Sequence, residues 1–343
     1  MMRVVAGVCA LLAGAAVVRF GGPEALEAWL APFVLLLGLV TGALAALIAG
    51  RILGETWLGP LQPILQALAR LAPLVVLLAV PLLVAPALVF PLLATPPVDG
   101  PRAVWFAPSV FVPRMALLLA AIALAALLVT RPGASRRRNA FGLFLLVPAG
   151  MLLPHDLVLS REPGWFGSLE GTALFVEQLA AALAVAVLVV LWRGGGGGRD
   201  LRATERALLS LTLLTLWLWF VQFVVVWMAD LPGEAAWYLR RDGFWVGIKA
   251  AQVGALAVAL LVAIPPRSGP KRLLAVSALY VGQHVAQVYW LLRPAAMASP
   301  PAWLDVIAAL VLLALCLAWL RAAFSGPGNP SAPQCAAATA SGH

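Results

Sequence analysis

Four ionisable side chains lie inside or at the edge of long apolar runs: Asp156, Glu177, Lys249 and His284. Near them in the same runs stand His155, Gln222, Gln252, Gln283 and Gln287. Removing charge from water is costly, so such residues are functional candidates by default. The chemistry they suit is proton movement. Imidazole titrates near neutrality, and a carboxyl in low dielectric can be brought into the same range and act as a relay. Each residue also has a plainer use. Lys249 can pair with Glu177 as a structural ion pair, or snorkel outward to the membrane surface. The glutamines can knit helices together, and His284 has Tyr280 one turn away as a hydrogen-bond partner.

The elements that must position these groups are ten apolar stretches, roughly 4–18, 29–50, 70–93, 114–130, 140–158, 169–192, 207–228, 244–264, 273–293 and 303–320. Most have the ~20 residues that cross ~30 Å of hydrocarbon. With 63% hydrophobic and 11% charged residues, the chain has too little polar surface to clothe a water-soluble globule. The expected fold is an all-α polytopic membrane protein, a single membrane domain over residues 1–324 with a disordered tail over 325–343. The first stretch, ended early by Arg19, can also be read as a cleaved signal peptide, which would leave nine spans. Residues 59–70 suit an amphipathic helix on the inner face. Pro73, Pro81, Pro86 and Pro91 should kink the third span. Gly194 to Gly198 is a flexible linker, with no strand–helix frame to make it a phosphate cradle.

Charge sorts by alternate loops. One side has 15 basic residues against Glu55, Asp200 and Glu205; the other has 7 against 10 acids. The positive-inside rule then places both termini in the cytoplasm and the acidic loops outside. The sequence pI of 10.7 follows from topology and needs no nucleic-acid partner. On this frame Asp156 ends span five on the outer side, with Lys249 ~8 Å, Gln222 ~9 Å, Glu177 and Gln252 ~12 Å and His284 ~14 Å below that edge, and Gln287 nearer it. All fall in the outer half of the bilayer. Cys9, Cys316 and Cys335 are scattered without ligand spacing, so no metal site is expected. A b-type haem needs two axial ligands, and His155 and His284 lie at different depths.

Two outer loops stand apart. One runs His155-Asp156 through Ser160, Arg161, Glu162, Pro163, Trp165, Phe166 and Glu170-Gly171. The other runs Trp227 through Asp230, Pro232, Glu234, Trp237, Tyr238, Arg240 and Arg241. Each joins acids, a turn-setting proline and tryptophans, a pattern that an aromatic belt alone can produce. Together they resemble the second quinol-type membrane subunit of alternative complex III, a bacterial quinol:electron-acceptor oxidoreductase. Asp156, Ser160, Glu162, Pro163, Trp165, Phe166 and Gly171 match one motif of that subunit. Phe220, Gln222, Phe223, Trp227, Ala229, Pro232, Glu234, Trp237, Tyr238, Leu239 and Arg241 match the other, and Tyr289-Trp290 with Pro294 forms a weaker third. Asp230 stands where the family has Asn, Gly233 replaces one of its paired acids, and Glu177 replaces a small residue.

The resemblance implies two four-helix bundles flanked by extra helices, as in the polysulfide-reductase membrane-subunit superfamily. It implies a subunit of the bacterial inner membrane without haem or iron–sulfur centre of its own, in contact with quinone or quinol. Its partners would be an iron–sulfur protein, a multihaem cytochrome c and a second quinol-type membrane subunit. A transporter or channel, or a purely structural anchor of a redox complex, are the alternative readings. No internal repeat or matched pair of broken helices favours a transporter.

Overall fold

A computed structural model describes residues 2–55, 57–133, 135–162, 167, 169–194, 198–264 and 269–324. Among them there is no strand, and the chain is an all-α polytopic membrane protein. The helices are α1 (Met2–Phe20), α2 (Gly22–Leu53), α3 (Leu58–Ala69), α4 (Ala72–Leu78), α5 (Val80–Val84), α6 (Pro91–Ala94), α7 (Pro101–Trp105), α8 (Pro108–Val129), α9 (Arg136–Leu159), α10 (Glu170–Trp192), α11 (Gly198–Ala229), α12 (Pro232–Leu239), α13 (Phe244–Ala263), α14 (Pro270–Leu292) and α15 (Ala302–Phe324). Nine helical stretches of the described residues are long and apolar enough to cross a membrane, Leu58–Val84 counting as one. The tenth expected span, α14, has 23 residues but carries Lys271, Arg272, Gln283, His284 and Gln287. Its polar residues are turned inward: Gln283, His284 and Gln287 are all buried.

Local sequence sets the helix ends. Proline at the first turn opens α2, α8, α12 and α14, where its missing N–H costs nothing. Gly54 closes α2 in the left-handed region at φ 67° and returns its N–H to the Gly50 carbonyl. Asp230, the one non-glycine residue with positive φ among those described, ends α11 at φ 48°. Asn and Asp are the non-glycine side chains best tolerated there, so Asp230 suits the turn it makes.

The third span is more than kinked. It is broken into α4, α5, a 3₁₀ turn at Pro86–Leu88, and α6. The breaks at the span's prolines leave carbonyls without intrahelical donors, and these must be satisfied where there is no water. Trp29 Nε1 on α2 donates to the Leu78 carbonyl at 2.9 Å, and Arg161 Nη1 donates to the Val89 carbonyl at 2.8 Å. The Leu92 N–H donates to the Ser160 carbonyl at 3.1 Å. Helix α3 forms as expected and lays Leu58, Leu61 and Leu65 into the core.

Helix α2, the broken span, α8 and α9 make one four-helix group; α10, α11, α13 and α14 make the second, with α1 and α15 flanking. Helix α10 is the shared member, packed on α2, α9, α11 and α14. Small residues allow this closeness. A Cβ on Gly42 would lie 2.1 Å from the Gln178 carbonyl oxygen, and one on Gly171 would lie 2.3 Å from the Met151 carbonyl oxygen. Large apolar side chains on α11 (Trp217, Phe220, Trp227) and α13 (Val246, Leu261) point outward, as a lipid-facing surface requires.

Side-chain contacts define two ends. Glu27, Arg161, Arg241 and the segment after α14 meet at one, which we name the acidic-loop end; Arg51, Asn139 and the Val129 carbonyl meet at the other. Gly195 to Gly197 of the linker and the tail from Ser325 lie outside the described residues.

Candidate functional site

The centre of the second bundle is a buried carboxylate. Glu177 on α10 has no solvent exposure, and three donors converge on it. Trp219 Nε1 from α11 reaches Oε2 at 2.7 Å, and Gln283 Nε2 from α14 reaches Oε1 at 2.9 Å. His284 Nδ1, also on α14, lies 2.9 Å from Oε1. A carboxylate only accepts, so one proton must sit between Glu177 and His284, on Nδ1 of the imidazole or on the carboxyl itself. A hydrogen-bonded acid–imidazole pair of this geometry can hand a proton from one member to the other. His284 Nε2, buried and without a hydrogen-bond partner among the described residues, is the free end of that pair.

Trp219 and Gln283 have a second face. They also line a cavity of 720 Å³ between α11, α12, α13 and α14, alongside Lys249, Gln252, Gln287 and Trp290. Its remaining walls are apolar and aromatic, and two of them, Trp217 at 61% and Phe220 at 58% exposure, sit on the lipid-facing surface. The cavity therefore opens sideways toward hydrocarbon, and its polar groups gather along one inner edge. Lys249 does not snorkel. Its ammonium donates to Gln287 Oε1 at 2.7 Å and Gln252 Oε1 at 3.4 Å, and lies 4.2 Å from the Trp290 ring centre and 5.2 Å from that of Trp219. Nor does it pair with Glu177, whose contacts are Trp219, Gln283 and His284. Both residues are five to eight positions from their helix starts at the acidic-loop end, as His284 is from its helix end, so the cluster occupies one half of the bundle.

Other residues singled out from sequence go elsewhere. Asp156 is fully buried but belongs to the first bundle, accepting from Trp105 Nε1 and Arg114 Nε, both at 2.9 Å. It clamps α7 and α8 to α9 and is not part of the Glu177 cluster; neither is the neighbouring His155, which packs against the α9–α10 contact at Gly171. Gln222 Oε1 accepts the Leu169 N–H at 3.0 Å, satisfying a backbone donor at the start of α10. Tyr280 does not meet His284; its hydroxyl is 2.7 Å from Thr215 Oγ1.

The two conspicuous loops build a lid of buried charge at the acidic-loop end. Arg161 Nη2 contacts both Glu27 carboxylate oxygens at 3.1 and 2.9 Å and the carbonyls of Leu292 and Ala295 at 3.3 and 3.1 Å. Glu162 pairs with Arg240 and, at 3.5 Å, with Arg241. Arg241 lies 3.6 Å over the Trp237 ring and donates to the carbonyls of Trp237, Trp290 and Leu291. Burial pushes the Glu162 carboxyl above its usual range while Arg241, Arg240 and Arg161 draw it back. Burial likewise lowers Arg241 to about 10, opposed by Glu162 and Glu170, so the guanidinium stays cationic at neutral pH. Tyr238 packs edge-on to Trp237, and Glu234 sits in the first turn of α12 behind Pro232, where the helix dipole favours an acid. Of the second loop's motif residues, Trp237 is buried and Trp227 is an exposed belt residue. In the first, Ser160 is buried, and Pro163, Trp165 and Phe166 lie outside the described residues.

Sequence reasoning did not single out Glu27 or Trp219, and it gave Trp290 only as part of the weak third motif. Glu27 entered only in the count of outer acids; the one signal for the tryptophans is that Trp219 and Trp290 stand three positions from Gln222 and Gln287 on the same helices. No group of three or more His, Cys, Asp or Glu able to hold a metal occurs among the described residues. No protein-family model matches the chain, and no curated protein matches it.

Proposed function

We propose that the chain is a membrane subunit of a quinol-oxidising redox complex, resembling the second quinol-type subunit of alternative complex III, and that it lies in a bacterial inner membrane with both termini cytoplasmic. The observation that carries this reading is the lipid-open aromatic cavity, whose one polar edge backs onto the buried Glu177–His284 pair. A cavity of this volume falls within the 300–1,000 Å³ usual for small-molecule sites. Its sideways mouth suits a ligand that arrives dissolved in the bilayer, and its aromatic walls suit a flat ring.

In this reading the quinol loses two electrons and two protons. The electrons pass to one-electron acceptors, iron–sulfur centres and c-type haems, on partner subunits. The protons leave toward the acidic-loop end, with Glu177 and His284 as the relay one layer behind the cavity wall. The buried charges of Arg161, Glu162 and Arg241 hold the loops above it in place. The chain itself supplies binding, orientation and proton handling.

Two measurements test the proposal. Purification in mild detergent should recover the chain with an iron–sulfur protein, a multihaem cytochrome and a second polytopic subunit; recovery alone, from membranes that oxidise quinol, would count against it. A quinone analogue should quench the tryptophan fluorescence of the purified chain and should be displaced by quinol. Absence of any saturable quenching would remove the cavity's assigned role.

A further inference from the structure

We propose that the cavity selects an aromatic ring bearing an oxyanion, a hydroxyquinone or a quinolate, with the Lys249 ammonium as its counter-charge; this narrows the quinone-type reading above and rests on it. Lys249 is a cation held inside the bundle, yet its two hydrogen bonds go to neutral amide oxygens, Gln287 Oε1 and Gln252 Oε1. No carboxylate forms an ion pair with it among the described residues. Glu177 lies behind Trp219 and Gln283 and already takes three donors. The amide oxygens and the two rings offset part of the cost of this partly buried charge, and an anion would offset the rest.

The chemistry of the lining says which kind of anion. An ammonium has three N–H groups and no acceptor, and two of the three are committed. Because Gln252 and Gln287 must turn their oxygens toward Lys249, their amide nitrogens face away, buried and without a partner among the described residues. At the polar edge Lys249 therefore keeps one uncommitted N–H, between two amides whose residues also line the cavity. Trp290 and Trp219 lie with their rings near the cation, at 4.2 and 5.2 Å, and both also line the cavity. An oxyanion on a planar ring satisfies the charge and the uncommitted N–H, and its ring suits the aromatic walls.

The test titrates the full chain in detergent with 2-hydroxy-1,4-naphthoquinone, an acid ionised at neutral pH, and with its neutral 2-methoxy ether. Quenching of Trp217, Trp219, Trp237 and Trp290, which line the cavity, reports binding. The wild-type chain should prefer the hydroxy compound at least tenfold, and Lys249→Met should reduce that ratio below threefold. Comparing ratios between variants cancels partitioning into micelles. Should Lys249→Met fail to fold, Gln287→Glu takes its place, since a carboxylate set against the ammonium should abolish the preference in the same way. A wild-type preference below tenfold, or one above threefold in the variant, overturns the oxyanion proposal and leaves ring binding standing. Binding of neither compound overturns both.

Discussion

Replacing Arg161 with Met removes a guanidinium that is 2% exposed and joins three distant parts of the chain: Glu27 on α2, the Val89 carbonyl of the broken span, and the Leu292 and Ala295 carbonyls after α14. Methionine fills much of the same volume but offers no donor. Glu27, itself 2% exposed, then keeps only the Met297 N–H, at 2.8 Å, among the described residues. Removing one partner of a buried ion pair costs ~3–5 kcal/mol, because the other charge stays buried. The three carbonyls add to this by an amount that overlaps with it, at ~1–3 kcal/mol for each group left unsatisfied. A loss on the order of 5 kcal/mol is therefore expected for Arg161→Met. Replacing both charges, as in Glu27→Met with Arg161→Met, should cost ~3 kcal/mol less than the two single losses summed, since no lone charge remains. Unfolding in mixed micelles titrated with a denaturing detergent, read by tryptophan fluorescence, gives all four corners of the cycle. Additivity within ~0.5 kcal/mol would refute the reasoning, because residues in direct contact must couple.

Further expectations concern the cluster and the packing. Glu177→Gln and His284→Ala should each lower quinol turnover while assembly stays intact, and unchanged turnover in both would remove the relay. Asp156→Asn, by contrast, should lower thermal stability through the loss of charge-assisted bonds to Arg114 and Trp105, with turnover per folded molecule retained; a turnover loss would place Asp156 back in the proton route. Gly42→Ala puts a Cβ 2.1 Å from the Gln178 carbonyl oxygen and should destabilise by ~1–3 kcal/mol or more, whereas Gly59→Ala meets nothing within 4 Å and should be neutral or slightly stabilising, both read by the same unfolding assay. Trp29→Phe should cost ~1–3 kcal/mol by leaving the Leu78 carbonyl without a donor, and a smaller effect would mean the broken span finds another partner.

The all-α membrane fold was legible because apolar length and charge asymmetry are properties of segments, readable without knowing any contact. The same holds for the clustering of Glu177, Lys249 and His284 in one half of the bundle, since depth follows from counting along each helix. Which side chains meet does not follow from counting. Asp156 and Glu177 looked alike as buried acids, but helix rotation sends one to Arg114 in the first bundle and the other to His284 in the second. Lys249 had three readings from sequence, snorkelling, pairing with Glu177 or burial; the choice rested on Trp219, Trp290 and Gln287, which come from two other helices. The prolines of the third span announced a distortion, but its full break into short helices depends on donors more than forty residues away in each direction.

That break has a consequence for how the chain is made. A segment with freed carbonyls at Leu78 and Val89 cannot rest comfortably among lipid tails on its own. Trp29 is already synthesised when the segment emerges, but Arg161 follows Val89 by 72 residues. During translation the segment must wait, sheltered by the insertion machinery or held near its mouth, until the loop after α9 arrives to close it. Maturation of the first bundle is thereby tied to the chain that begins the second, and a nascent polypeptide halted before residue 161 should remain an unfinished intermediate.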